Sequence, residues 1–365
     1  MGASMLGALK RATYPVRRAL AIAICPSIAR YAPKDENALT WDRVSGRLRE
    51  RLVLPIARIG SPLRRARRHP DDLWAWFALA RKVGGQPAAL AGAHELDQSN
   101  FQKYLDVSRA IRQRSAPRLL ELGGQIRDER DAETIGAAIE EIVRWKTILE
   151  VGSAFDGGGR HPGHYFGDAE PHMEKQWATI IWPVIKESDF ACALEIACGH
   201  GRQTEYLRRH ARELHLVDIN ESCIQACRER FGQQRDGCSF HYHVTDGNHL
   251  KMIAEGSISF VCSWDSMVHF DKTVMADYVR EIARVLKPGG TAFLHHSNFG
   301  ALRPNGNWTE NHGTRGDMSA ALLQAYAREH GLSMVFQRLS GTGDGWGMDD
   351  LDCLSLVAKP AWPRL

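Results

Sequence analysis

No stretch of this chain stays apolar for the roughly 18 residues that a membrane-spanning helix needs. The opening has neither the long uninterrupted apolar core nor the small-residue cleavage site of a secretory signal, so a cytoplasmic location is expected. A second cysteine pair is missing too. Cys223 and Cys227 lie one helical turn apart with no partner pair elsewhere, which argues against a structural zinc, and no metal is expected. Cys192, Cys198, Cys262 and Cys353 fall inside apolar, strand-like runs, the usage of small buried hydrophobes in a reducing compartment. An excess of one charge is absent as well, the net charge being +4.

What charge there is lies unevenly, with arginines crowded toward the amino terminus. Met5 to Tyr31 mixes Leu, Ala and Ile with Lys10, Arg11, Arg17, Arg18 and Arg30, a pattern for a basic amphipathic helix broken near Pro15 and Pro26. Such a helix either makes peripheral contact with an anionic membrane or docks on its own globular domain. The run RRARRHP, Arg64 to Pro70, suits an anionic partner or an ordinary solvated face. From Asp71 to Trp145 apolar residues recur at helical spacing, as in Leu73, Trp74, Phe77 and Ala78. Residues 1–150 are therefore read as a mainly helical basic region. Residues 151–170, holding GGG, His161 and His164, form a glycine-rich linker or lid, and 171–365 one α/β domain.

The chain is organised around Ala191 to Arg209, ACALEIACGHGRQTEYLRR. Ala193, Leu194 and Ile196 make a short buried strand, Gly199 and Gly201 a turn open to close approach, and Gln203 to Arg212 a helix. A dinucleotide fingerprint needs a third glycine where Thr204 stands, which excludes it. Glu195 at the strand end is placed to accept hydrogen bonds from a ligand ammonium, favouring a nucleotide that carries an amino acid.

Glu195, Ala197, Gly199 and Gly201 resemble the E/D-x-G-x-G-x-G loop of class I S-adenosylmethionine-dependent methyltransferases, with Ala197 in place of the first glycine. The resemblance implies S-adenosylmethionine as cofactor and a doubly wound, mostly parallel, seven-stranded Rossmann-like sheet whose last strand is reversed. The periodicity itself gives strands at Leu214–Ile219, Ser239–Thr245, Ile258–Ser263 and Thr291–His295. It gives helices at Glu221–Phe231, Lys272–Leu286 and Ser319–His330, then a closing pair at Ser333–Leu339 and Leu351–Ala358. The segment HYFGDAEPHMEKQWATIIWP looks like a helix that covers the cofactor in several branches of the family. Together with VHFD, VLKPGG and HHSN it resembles methyltransferases encoded among glycan-assembly genes, which implies sugar O-methylation.

In such a sheet ligands gather at the carboxyl ends of the strands. Asp218 ends the second strand and is assigned the ribose hydroxyls, with a helix N-cap as its plainer role, while Ile219 and Asn220 line the adenine. Asp246 and Gly247 end the third strand. The resemblance gives that acid the adenine amino group, though turn chemistry selects Asp-Gly equally well. The fourth strand delivers Ser263 to Phe270, SWDSMVHF: Trp264 for the sulfonium, Asp265 for the sulfonium side or an acceptor hydroxyl, and His269 as general base. His295 and His296 alternate to opposite faces, and His296 is the second choice of base. Arg303, Asn305, Asn307, Trp308, Asn311, His312 and Arg315 interleave amides with an aromatic, and Asp349, Asp350 and Asp352 edge a hairpin. The expected reaction is methyl transfer to a hydroxyl of a glycan or glycolipid precursor. Its alternatives are small-molecule N- or O-methylation and a non-catalytic scaffold for glycan enzymes. Nucleic acid is set aside, because no basic groove and no N/DPPY-type tetrapeptide appears at Ser263–Ser266. Oligomeric state is left open.

Overall fold

The computed structural model describes residues 61–71, 73–84, 101–154, 165–303, 315–341 and 349–361. The expected basic helix at Met5–Tyr31, the histidines His161 and His164, and Asn305, Asn307, Trp308, Asn311 and His312 lie outside them. Among the described residues no helix is long and apolar enough to cross a membrane. The chain divides into two units, the second taking up the chain from Val143 onward together with Asp97–Ile111.

In the first unit, α1 (Pro62–Arg68) begins with a proline whose φ is already helical and whose missing N–H costs nothing at a first turn. Its only buried residue is Ala66, so most of the arginine run is a solvated face. Arg67 is tied down, its Nη2 donating to Ile126 O at 2.8 Å. After α2 (Leu73–Lys82) come two long helices, α3 (Phe101–Gln125) and α4 (Ala132–Ala154), of which the stretches 112–125 and 132–142 belong to this unit. Trp76, Leu79, Leu119, Ile135, Ala138 and Ile142 form the core of this unit. A Cβ on Gly123 would stand 2.7 Å from Ala66 O, so that glycine permits the close approach of α1 and α3.

The second unit holds the end of α4 and, from Tyr165, a nearly continuous helical run: α5 (Tyr165–Ala169), a 3₁₀ turn, α6 (Met173–Gln176), a π-helical stretch (Trp177–Ile181) and α7 (Trp182–Ile185). Pro183 supplies no N–H to the ladder, and the helix widens just before it, Trp182 N–H bonding to Trp177 O. Met173, Trp177, Ile180, Ile181 and Ile185 are buried in the main core, while Val184 is only half-buried.

Then follow β1 (Cys192–Ile196), α8 (Thr204–Leu207), β2 (Glu213–Asp218), α9 (Glu221–Phe231), β3 (Gln234–Arg235), β4 (Cys238–Val244), β5 (Ile258–Ser263) and α10 (Lys272–Val285). The chain closes with β6 (Leu286–Ser297), α11 (Phe299–Leu302), α12 (Ala320–Glu329), β7 (Ser333–Leu339) and β8 (Asp352–Ala358). The sheet order is β3-β4-β2-β1-β5-β6-β8-β7. From β4 to β6 all pairs are parallel, and β8 runs antiparallel to both neighbours. This is the doubly wound sheet that the strand-helix alternation implied, with the reversed last strand that the resemblance implied.

Four details differ from the expectation. The sheet has eight strands rather than seven, because Asp236 and Gly237, at φ 51° and 85°, turn a two-residue strand back onto β4. The helix expected over Gln203–Arg212 forms only across Thr204–Leu207. Strand β6 starts at Leu286, well before Thr291, taking in the KPGG turn where its register with β5 shifts between Ile258 and Phe260. The glycine-rich stretch expected from Val151 is still helical to Ala154, the end of α4.

Candidate functional site

A cavity opens at the carboxyl ends of β1, β2, β4 and β5, beside the point where strand order reverses. The loop after β1 supplies Glu195, Ala197, Cys198, Gly199, His200, Arg202 and Gln203; β2 supplies Asp218, Ile219 and Asn220; the end of β4 supplies Thr245 and Gly247. Trp264, Asp265, Ser266 and His269 after β5 line it too, with Tyr165 and Phe166 of α5, while Ile148, Val151 and Gly152 of α4 close the end beside Ile219 and Gly247.

The first loop owes its path to three left-handed residues. Ala197 has φ 58° although it carries a Cβ, and its N–H bonds to Val217 O at 2.7 Å. Gly199 has φ 55°, and a Cβ there would lie 2.7 Å from the Phe166 ring, which stacks on His200 with centroids 3.8 Å apart. Gly201, at φ 80°, is off the cavity wall: a Cβ would stand 2.4 Å from Phe231, so this glycine lets α9 pack against the loop. Asp218 ties the loop to β2, its Oδ2 accepting from Gly199 N–H at 3.0 Å and its Oδ1 from Asn220 N–H at 2.9 Å. Asn220 takes the N-cap position of α9, so capping is not what Asp218 does. Ile219 is seated by two glycines, since a Cβ on Gly152 or on Gly247 would come within 2.8 Å of its side chain.

Glu195 is almost wholly enclosed and accepts a 2.6 Å bond from Thr204 Oγ1. Burial pushes its carboxyl up to about 8, against the pull of the Thr204 bond and of Arg202. A neutral acid at this spot becomes a carboxylate once a cation is placed beside it. Gln203, 3% exposed, also lines the cavity, and neither its Nε2 nor its Oε1 has a hydrogen-bond partner.

At the β5 end Asp265 is the centre of a polar network. Its backbone lies at φ 58°, a conformation that Asp tolerates better than most residues. Its Oδ2 accepts from Tyr165 Oη at 2.9 Å and from Arg202 Nη2 at 3.0 Å. Its main-chain N–H donates to His295 Nδ1 at 3.1 Å, and His295 Nε2 lies 3.6 Å from Asp352 Oδ2. Arg315 grips Asp352 through two bonds of 2.8 and 2.7 Å. Burial would raise the Asp265 carboxyl, but His295, Arg202 and His269 outweigh it and hold the group below the usual carboxylate range. The Tyr165 hydroxyl is driven up by burial and by Asp265. One 3₁₀ turn, Met267–His269, returns His269 to the cavity that Asp265 faces.

Of the residues singled out in the sequence, Glu195, Ala197, Gly199, Asp218, Ile219, Gly247, Asp265 and His269 meet in this one cavity. His296 does not belong with them. It is fully buried on the other face of β6, with Nε2 2.9 Å from Ser355 Oγ and Nδ1 2.9 Å from Ser297 O, so it has no path to an acceptor. Asp246 is exposed and turned toward His249, Oδ2 to Nε2 at 3.3 Å, and only its neighbours Thr245 and Gly247 reach the wall. Asp349 and Asp350 are exposed, whereas Asp352 is buried in the Arg315 pair. The roles of Tyr165, Arg202, Gln203 and the α4 residues were not foreseen. The available signal was their position next to recognised landmarks: Arg202 and Gln203 follow the last loop glycine, and Tyr165 opens the covering helix.

Residues 193–290 match the methyltransferase domain family model, from β1 into β6. Over 200 residues the chain is 26% identical to nodulation protein S of Rhizobium tropici, covering 51% of this chain and 71% of that protein. It is similar to the PH0226 protein of Pyrococcus horikoshii, at 19% identity and a TM-score of 0.40 over 51% of this chain and 90% of that one. A S-adenosylmethionine-dependent methyltransferase of Clostridium acetobutylicum is similar at 16% identity, with a TM-score of 0.43 over 54% and 99% of the two chains. The wall suits the cofactor of the matched family. Glu195 offers a buried acid to an ammonium, Gly199 offers no Cβ, and the Gln203 amide is enclosed with its hydrogen-bonding capacity unspent.

Proposed function

We propose that this S-adenosylmethionine-dependent methyltransferase O-methylates a sugar hydroxyl of a glycan or glycolipid precursor. The cofactor supplies a methyl group already activated on a sulfonium, so the chain's task is to align it and to remove a proton. Glu195 holds the ammonium, Gly199 allows backbone approach, Asp218 takes the ribose hydroxyls, and Ile219 and Gly247 flank the adenine, with Asp246 at the rim.

The observation that carries the acceptor side is the convergence of Asp265, Tyr165, Arg202 and His269 on the cavity that Glu195 and Asp218 also line. A sugar presents hydroxyls that both donate and accept, above ring faces that are apolar. Asp265 accepts, Arg202 donates, Tyr165 does either, and Trp264 and Phe270 supply aromatic walls. His269 removes the hydroxyl proton as the oxygen attacks, a contribution of about 10²–10⁴ in rate. Aligned attack supplies more, with effective molarities of about 10⁵–10⁸ M open to a well-oriented pair.

The test is transfer of isotopically labelled methyl to candidate sugars and lipid extracts, with the label located by mass spectrometry. Label on a sugar oxygen supports the reading. Label on an amine nitrogen, or on small molecules without a sugar, replaces it with the competing acceptor class.

A further inference from the structure

A second cluster of chemically able side chains lies on the same sheet, toward the opposite strand ends from the cavity. Cys192 and Glu213 are the first residues of β1 and β2 and face one another across the parallel pair, and His215 pairs with His241 and Val217 with His243 across β2 and β4. Strand alternation sends Ala193, Leu214, Leu216 and Phe240 into the core on one face. It puts Cys192, Glu213, His215, His241 and His243 together on the other, and none of these five is fully buried.

The donor atoms of Cys192, Glu213 and His215 all lie within 4.8 Å of one another, and Cys192 Sγ is 4.0 Å from Glu213 Oε2. His215 Nδ1 is 3.1 Å from His243 Nε2, and the His241 ring stacks on His215 with centroids 4.5 Å apart. With Nδ1 facing the His243 imidazole, Nε2 of His215 is the nitrogen assigned to an ion. Thiolate, carboxylate and imidazole together are a donor set for zinc-class divalent ions, which bind at about 2.0–2.3 Å in a tetrahedron. Closing the three donors to that spacing needs a movement of about 1 Å, and the exposed Glu213 side chain is free to make it.

We propose that Cys192, Glu213 and His215 form a binding site for a zinc-class divalent cation, separate from the cofactor cavity. The sequence hides it because the ligands come from two strands and from positions without the short repeated spacing of zinc motifs.

The probe is Co²⁺ added to the full chain after chelator treatment, read by absorbance. One equivalent should give a near-ultraviolet thiolate-to-cobalt charge-transfer band that Zn²⁺ abolishes. Cys192→Ser should lose the band, and His215→Ala should weaken Co²⁺ binding at least about 10-fold, both variants keeping wild-type circular dichroism and S-adenosylmethionine affinity. Zn²⁺ at about 100 times its Kd should raise the Tm of the wild-type chain by about 5 °C and leave that of Cys192→Ser unchanged. No band in the folded wild-type chain, or a band of full strength in Cys192→Ser, overturns the site. Because the readouts are spectroscopic and thermal, they stand apart from the identity of the methyl acceptor.

Discussion

Arg202 and Asp265 join the loop after β1 to the loop after β5, with Nη2 3.0 Å from Oδ2. Both residues line the cavity, and the proposed reading puts the methyl donor and the acceptor beside this contact. It also fixes the orientation of a carboxylate that Tyr165 touches from α5. Replacing Arg202 by Met should lower kcat/KM by about 10–100-fold, since a partly buried carboxylate would lose its partner and its alignment. The double variant Arg202→Met, Asp265→Asn should lose less than the product of the two single losses. Full additivity in steady-state kinetics would mean that the two residues act independently.

Proton release on cofactor binding is expected from Glu195. Its free carboxyl titrates at about 8, so it is mostly protonated at pH 7. An ammonium placed against it favours the charged form, the pKa drops, and close to one proton leaves. Apparent affinity should therefore rise between pH 6 and about 7.5. Titration calorimetry of S-adenosylmethionine at pH 7, in two buffers of different ionisation enthalpy, reads the proton directly. Glu195→Gln should release none, and equal release from both proteins would assign the proton elsewhere.

Two positions of the glycine loop should respond in opposite directions. Ala197 pays for its Cβ at φ 58°, so Ala197→Gly should raise stability by up to about 1 kcal/mol, the relief of left-handed strain less the added freedom of glycine in the unfolded chain. Gly201→Ala should lower it by about 1–3 kcal/mol or more, because the new Cβ meets Phe231 at 2.4 Å. Denaturant midpoints at unchanged m-value check both. A stabilised Gly201→Ala chain would show that α9 yields readily.

The two histidines proposed as bases should separate cleanly. His269→Ala is expected to lower kcat by about 10²–10⁴-fold while leaving S-adenosylmethionine affinity within two-fold. His296→Gln should leave turnover nearly intact and change acid stability instead. Burial lowers the His296 pKa from 6.5 to about 4, so the folded chain binds fewer protons than the unfolded one in between. Its stabilising contribution is complete above pH 6.5 and is lost as pH falls toward 4. The variant should flatten that part of the stability profile. An unchanged kcat in His269→Ala would remove it as the base.

The strand ends were legible because a buried parallel strand has a local signature: a short apolar run, then a polar residue, then a turn. Glu195 and Asp218 stand at such ends, and the cavity has both. The hairpin at Asp236-Gly237 was not read, although the pair is a favoured two-residue turn, because the strand it adds is too short to show a period. His269 entered the site through its spacing from Asp265, whereas alternation along β6 left open which of His295 and His296 faces the site, and it is His295 that meets Asp265.

By itself the sequence determined the parallel α/β sheet, the glycine bend with its flanking acids, and the kind of ligand such a bend accepts, because each rests on residues within one turn or one strand of each other. Only the tertiary structure decided which side chains share a space: that Arg202 reaches Asp265, that Gly201 makes room for Phe231, that Asp246 faces outward, and that a cysteine of one strand meets a glutamate and a histidine of its neighbour. Those outcomes depend on strand order, register and helix approach, which sum many weak contacts between distant segments and leave no mark at any single position.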